Sequence, residues 1–196
     1  MSDILCVTNR SLCQEDFFTR LEKIAAAKPK AVILREKDLS AADYKILAVK
    51  AMAICRKHGV ECILHSFPDV ALALNSAALH LPLHLLKNLS DEAKANFSIL
   101  GASCHSADEA VLAEKLGCTY ITAGHIFDTD CKKGLPGRGT EFLQAVCHSV
   151  EIPVYAIGGI NRQNIDELRK AGAAGACIMS GLMLCADVEQ YLNQLK

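Results

Sequence analysis

Imidazoles gather where short apolar runs end, at Leu64-His65, Leu79-His80, Cys104-His105 and Gly124-His125. An imidazole titrates near neutrality, so it can take a proton from one carbon and return it to another. Clustered histidines also suggest a metal, but sites of that kind usually add carboxylates, and none stands beside the histidines of the third, fourth and fifth runs. A histidine at such a place is more often a hydrogen-bonded structural residue. His125 differs, because it opens a long polar stretch, Ile126-Phe127-Asp128-Thr129-Asp130-Cys131-Lys132-Lys133-Gly134. Cys131 would be a nucleophile if Lys132 or Lys133 lowered its pKa, but with ten cysteines in the chain that reading is set aside.

Anion chemistry is written in two other places. Ile157 is followed by Gly158-Gly159, and Met179 by Ser180-Gly181. Small residues after two neighbouring strands let backbone N–H groups close on a phosphate, aided by a helix N-terminus. The plain alternative is a pair of tight turns in which glycine supplies positive φ. Arg35 and Lys37 flank Glu36 at the end of another apolar run. Alternate residues of a strand share a direction, so both aim the same way and offset negative charge on a ligand; alternatively they begin a solvated loop.

These groups need elements to hold them. The apolar runs read as strands over Ile4–Thr8, Ala31–Arg35, Cys62–His65, Ala78–Leu81, Ser98–Ser103, Tyr120–Ala123, Val154–Ile157 and Ala176–Met179. Between them helical spacing covers Glu15–Ala27, a segment capped by Ser40 and running to about His58, Pro68–Leu74, and weakly Ser90–Ala95. Ser106 and Glu109 form a capping box for Ser106–Leu116. Further helices run from the loop's end near Gly139 to Ser149, then over Asn164–Ala171 and Val188–Leu195. Eight units at a period of roughly 24 residues predict an α/β fold, a single (β/α)8 TIM barrel over residues 1–196. Strands apolar at every position fit parallel strands buried on both faces. A doubly wound open sheet is the structural rival, but no Gly-x-Gly-x-x-Gly follows the first strand.

Composition narrows the partners. With 21 basic and 22 acidic residues the net charge is −1, so no field draws nucleic acid or an acidic membrane surface. No apolar run approaches membrane-spanning length. No Cys-x-x-Cys pair exists, and Met1-Ser2-Asp3 begins no signal peptide, so the cysteines read as reduced thiols in a cytoplasmic protein. Small barrels of this kind often pair, which leaves a homodimer open.

The sixteen residues from Gly124 to Gly139, Gly-His-Ile-Phe-Asp-Thr-Asp-Cys-Lys-Lys-Gly-Leu-Pro-Gly-Arg-Gly, resemble the signature of TenI-type thiazole tautomerases, relatives of thiamine-phosphate synthase. Further matches are Leu34-Arg35-Glu36-Lys37, Ser103-Cys104-His105-Ser106, Pro153 to Ile160, and Ile178-Met179-Ser180-Gly181. The resemblance spans essentially the whole chain, though most of these motifs belong to both branches. Departures separate them. The synthases carry a glutamine where Ile33 stands, Asn-Asp where this chain has His65-Ser66, and a second aspartate where it has Leu85. Those aspartates hold the synthase's magnesium, which demands hard oxygen ligands that Ser66 and Leu85 cannot replace. Histidine 125 stands where the synthases have proline.

The resemblance implies aromatisation of a carboxythiazole phosphate, the product of thiazole synthase. A proton leaves the ring carbon bearing the carboxylate, and another is added at the exocyclic alkylidene carbon. No metal and no organic cofactor are expected. His125 is the expected proton carrier. Gly158, Gly159, Ser180 and Gly181 are expected to cradle the phosphate, with Arg35 and Lys37 offsetting charge. Thr129 and Lys132 are expected to order a closing loop, and Ser103 to support the site. Two alternatives remain: a thiamine-phosphate synthase joining hydroxymethylpyrimidine diphosphate to thiazole phosphate, and a non-catalytic thiazole-phosphate-binding regulator.

Overall fold

A strand buried on both faces needs apolar residues at odd and even positions alike, each set meeting a different neighbour. A computed structural model describes residues 3–132 and 134–195 and shows where the two sets go. Eight parallel strands close in sequence order, with β1 (Asp3–Val7) pairing both β2 (Ala31–Leu34) and β8 (Gly175–Ile178). Between them stand β3 (Glu61–His65), β4 (Ala78–Pro82), β5 (Ile99–Cys104), β6 (Tyr120–Gly124) and β7 (Val154–Ile157). One set of alternate residues, including Leu5, Val7, Ile33, Ile63, Tyr120, Tyr155 and Cys177, fills the barrel. The other, including Ile4, Cys6, Val32, Leu34, Leu64, Leu79 and Leu100, packs against the helices. The expected (β/α)8 barrel is therefore present.

The barrel interior is graded in size. Tyr120 is paired across the sheet with Gly101, and Tyr155 with Gly175. Gly101 makes room for the Tyr120 ring, whereas Gly175 lets the Asp3 backbone of β1 approach closely. The two phenol rings meet edge to face, with centroids 5.8 Å apart. They plug the centre of the barrel and leave the carboxyl ends of the strands to form its mouth.

The helices follow local signals. Asp16 accepts from the Thr19 N–H and starts α1 (Phe17–Ala26), and Ser40 accepts from the Asp43 N–H and starts α2 (Ala41–Lys57). Then come α3 (Pro68–Ala73), α4 (Leu83–Asn88) and α5 (Asp91–Lys94). Ser106 accepts from the Glu109 N–H at the start of α6 (Ala107–Lys115). The Glu109 carboxylate reaches back to the His105 N–H at 2.6 Å rather than to Ser106, a shifted form of the expected box. The chain closes with α7 (Gly139–Ser149), α8 (Ile165–Lys170), α9 (Ser180–Leu184) and α10 (Val188–Asn193).

Several elements depart from the sequence reading. The second strand stops at Leu34, one residue before Arg35. Helices α4 and α9 were not expected; each is five or six residues long and has no side-chain cap, so neither carries a start signal. Among the described residues no helix is long and apolar enough to cross a membrane.

Candidate functional site

The inward-facing positions nearest the carboxyl ends decide what a barrel can do. On β3 that position is histidine, and on β4 histidine stands one inward position below the terminal Pro82. His65 and His80 are register partners, and their rings stack with centroids 5.6 Å apart. They are only 4% and 2% exposed, so both belong to the floor of the mouth. Burial, reinforced by His80 and by the charges of Lys37 and Arg35, pushes His65 down to about 2. Burial and the Lys37 charge push His80 down to about 3. Both rings are therefore neutral near pH 7. His65 Nδ1 lies 2.7 Å from Ser66 Oγ, and its backbone N–H donates to Tyr44 Oη at 2.8 Å. His80 spans Tyr120 Oη and Ser103 Oγ, each at 2.9 Å. Ser103 is half-buried on β5 with its hydroxyl on an imidazole.

Positive charge gathers above this floor. Arg35 is half-buried and directly continues the inward-facing series Ala31, Ile33. The strand alternation does not extend to Lys37, because the chain has left β2; Lys37 instead sits in an exposed turn. Its ammonium is held below the usual lysine range by partial burial and by the charges of Arg35 and Lys132. Three cations from two separate loops therefore share one region. Among the described residues none of them is within ion-pair distance of a carboxylate. An unpaired cation cluster over neutral imidazoles is a place for an anion.

Glu36 shows how Arg35 is placed. Its carboxylate is 1% exposed and accepts from Thr8 Oγ1 at 2.7 Å, from the Arg10 N–H at 3.0 Å, and from Arg10 Nη1 at 3.2 Å. Thr8 Oγ1 in turn accepts the Arg35 N–H at 2.9 Å. Arg10 also makes a two-point contact with Asp38. This buried carboxylate ties the loops after β1 and β2 together and fixes the backbone from which Arg35 rises. Neither Glu36 nor Thr8 was singled out from sequence; the only signal was an acidic residue wedged between two cations.

His125 follows β6 and is half-buried. Its Nε2 lies 3.2 Å from the Leu135 carbonyl, which only accepts. Nε2 therefore carries the proton in the neutral ring, leaving the Nδ1 lone pair as the basic site. The loop that supplies Leu135 is pinned at both ends. Phe127 N–H donates to the Gly158 carbonyl, Arg138 N–H to that of His125, and Gly139 N–H to that of Ile126. Gly137 N–H donates to Asp128 Oδ1 at 2.7 Å. Thr129 contributes inside the loop, its hydroxyl accepting from the Cys131 N–H at 3.4 Å and its carbonyl from the Lys132 N–H at 3.0 Å. Cys131 is exposed in a short turn, Asp130–Lys132. Lys133 lies outside the described residues. A shallow cavity of about 610 Å³ runs along the loop, lined by Asp128, Thr129, Lys132 and Leu135 among others.

The glycines after β7 and β8 have a packing role that sequence did not reveal. Gly158 and Gly159 have φ of 102° and 68°. A methyl on Gly158 would drive into Cβ of His125, and one on Gly159 into the backbone of Asp128. The His125 loop lies directly on this turn. Gly181 faces the hydroxyl of Tyr191 and equally has no room for a methyl. Close approach alone thus explains these glycines. What favours an anion is the backbone: among the described residues the N–H groups of Gly159, Ser180 and Gly181 donate to no protein acceptor. Ser180 and Gly181 form the first turn of α9, where such donors are normally left open.

The magnesium of the synthase branch finds no matching donor set. Ser66 and Leu85 stand where that branch carries aspartates, and Leu85 packs against the hydrophobic core. Among the described residues no three His, Cys, Asp or Glu side chains converge as a metal site. All ten cysteines are free thiols; six are buried, as expected of small hydrophobes.

Known proteins agree with this architecture. The family described as thiamine monophosphate synthase (TMP-TENI) matches residues 4–182. A thiamine-phosphate synthase of Syntrophomonas wolfei is 32% identical, the match covering 97% of this chain and 92% of the relative. "Thiamine-phosphate synthase 2" of Streptococcus pneumoniae is 34% identical, with 93% and 88% covered. A solved structure titled thiamine phosphate pyrophosphorylase, from Pyrococcus furiosus, superposes with a TM-score of 0.84 at 29% identity, covering 98% of this chain and 93% of that one.

Proposed function

The chain belongs to the thiamine monophosphate synthase (TMP-TENI) family, and on that premise we propose that it is a thiazole tautomerase of thiamine biosynthesis. The substrate is a carboxythiazole phosphate, and the reaction is a proton shift that aromatises the ring. One observation carries this reading: His125 follows β6 with Nε2 on the Leu135 carbonyl and Nδ1 left as the basic nitrogen. It is supported by the mutual charge of Arg35, Lys37 and Lys132 and by Ser66 and Leu85 standing where the synthase branch carries carboxylates. Phosphate would rest on the open N–H groups of Gly159, Ser180 and Gly181, beside the Gly158 turn, and the ring carboxylate would face the cations. Nδ1 of His125 would take the proton from the ring carbon and deliver one to the alkylidene carbon, which restores the neutral ring. The Asp128–Leu135 loop, ordered by Thr129 and bearing Lys132, would keep water from the shift.

The names of the curated relatives favour a second reading, a transferase that forms thiamine phosphate from hydroxymethylpyrimidine diphosphate and thiazole phosphate. Two assays on the same preparation separate the readings. The proposal expects the protein to convert carboxythiazole phosphate to its aromatic isomer without added metal. It also expects no thiamine phosphate when magnesium, the pyrimidine diphosphate and thiazole phosphate are supplied. Thiamine phosphate formed at the faster rate would move the assignment to the transferase. Tight binding of the thiazole without either product would leave a binding protein.

A further inference from the structure

Beneath the mouth lies a hydrogen-bonded chain that the proton shift does not use, Tyr120–His80–Ser103. It exists because of one residue. Gly101 stands in the middle of β5, where glycine weakens a strand, and it is the register partner of both His80 and Tyr120. A methyl there would collide with the Tyr120 ring and with Nδ1 of His80. The sequence therefore opens the space in which phenol and imidazole meet, Oη to Nδ1 at 2.9 Å. On its other side the same ring meets Ser103 Oγ, through Nε2 at 2.9 Å.

A neutral imidazole has one N–H, so the chain has two directions. If Nδ1 carries the proton, it donates to Tyr120 Oη and the phenol O–H has no acceptor left among the described residues. Tyr120 is buried, and a buried donor without a partner is the costly outcome. If Nε2 carries the proton, Tyr120 donates to Nδ1, Nε2 donates to Ser103 Oγ, and every buried donor is satisfied. The only hydrogen left over is the Ser103 hydroxyl proton, on a half-buried group with no second protein partner among the described residues.

We infer that Tyr120 and His80 are positioning residues that fix Ser103 as a hydrogen-bond donor into the barrel mouth, for an anionic oxygen of the ligand. An anionic oxygen is the acceptor that fits, because the field at His80 includes the Lys37 charge and that at neighbouring His65 includes Lys37 and Arg35. In the proposed reaction that oxygen belongs to the ring carboxylate, and this part rests on the tautomerase reading. The direction of the chain does not rest on it.

The test has two independent arms. With 15N-labelled histidine, long-range 1H–15N correlation spectra of the ligand-free protein report the tautomer of each ring. The expected result is an Nε2-protonated pattern, assigned to His80 by its loss in His80→Gln, that becomes mixed in Tyr120→Phe. An Nδ1-protonated His80 in the unmodified protein overturns the inference. In the second arm carboxythiazole phosphate is titrated by calorimetry. Ser103→Ala is expected to bind about tenfold more weakly, the scale of one lost hydrogen bond to a charged acceptor. Ser103→Thr, which keeps a hydroxyl, is expected to retain most of the affinity. Tyr120→Phe, which lies behind His80, is expected to weaken binding about threefold with its circular dichroism unchanged. Unaltered affinity in Ser103→Ala also overturns the inference. Failure of the unmodified protein to bind the thiazole removes the tautomerase reading, and the tautomer spectra then decide the inference alone.

Discussion

Two imidazole regions of the same mouth behave in opposite ways. His65 and His80 are stacked, buried and hydrogen-bonded to hydroxyls. His125 is half-buried, bonded at one nitrogen to a carbonyl and packed on a glycine turn. Residue type is shared; surroundings differ. Desolvation removes the first pair from proton chemistry at neutral pH and makes them fixed dipoles, whereas the second keeps a lone pair within reach of a ligand. In the proposed reaction, where an imidazole sits in the barrel, more than how many there are, decides which one moves protons.

The strongest way to break that contrast is His125→Asn. The expected loss is about 10²- to 10⁴-fold in the rate of tautomer conversion, the range for removing a positioned acid–base group. Affinity for the carboxythiazole phosphate should stay within a few fold, measured by calorimetry on the same variant. His80→Gln should instead lose affinity more than turnover.

Acid sharpens the contrast through stability. In the unfolded chain both histidines take a proton near pH 6.5, whereas folded they stay neutral down to about 2 and about 3. The unfolded state therefore binds more protons, so their contribution is intact above about pH 6.5 and is lost as the pH falls below it. The slope is up to about 1.4 kcal/mol per pH unit for each ring. Urea midpoints between pH 7 and pH 5 should fall steeply in the native protein. They should fall about half as steeply in His80→Gln.

Gly158→Ala is expected to be smaller, destabilising by about 1–3 kcal/mol because it forces a methyl into a positive-φ turn and against Cβ of His125. Its diagnostic feature is a drop in conversion rate larger than any drop in thiazole affinity, since it displaces the imidazole. Least affected is Lys37→Gln, expected to raise the Kd for carboxythiazole phosphate several-fold. Its effect should shrink as salt rises, because the lost attraction is electrostatic and exposed.

The fold was legible because continuous apolar runs and helix caps are local. Eight apolar runs predicted eight strands within a residue or two, and Ser40 and Ser106 capped the helices they were assigned. Helices α4 and α9 escaped because they are short and uncapped. Parts of the candidate site were visible as residue types at strand ends, notably His125, Arg35 and Ser103. What could not be read was anything requiring two strands at once. Glu36 looks like a surface acid in sequence but is buried under Thr8 and Arg10. Tyr120 looks like core, yet it holds His80 across the space left by Gly101. Lys37 reached the cation cluster by a turn rather than by strand alternation, so the expectation about its neighbourhood rested on the wrong geometry.

The most direct measurement follows the proton itself. Carboxythiazole phosphate is converted in D2O by native protein and by His125→Asn, and the product is read by mass and NMR. Native protein should deliver an aromatic product carrying mainly protium at the former alkylidene carbon, the ring proton returned by Nδ1 in a water-excluded site, while the variant leaves the substrate unconverted over the same time. Conversion by the variant at the native rate, with the same isotope content, would contradict the central role of His125.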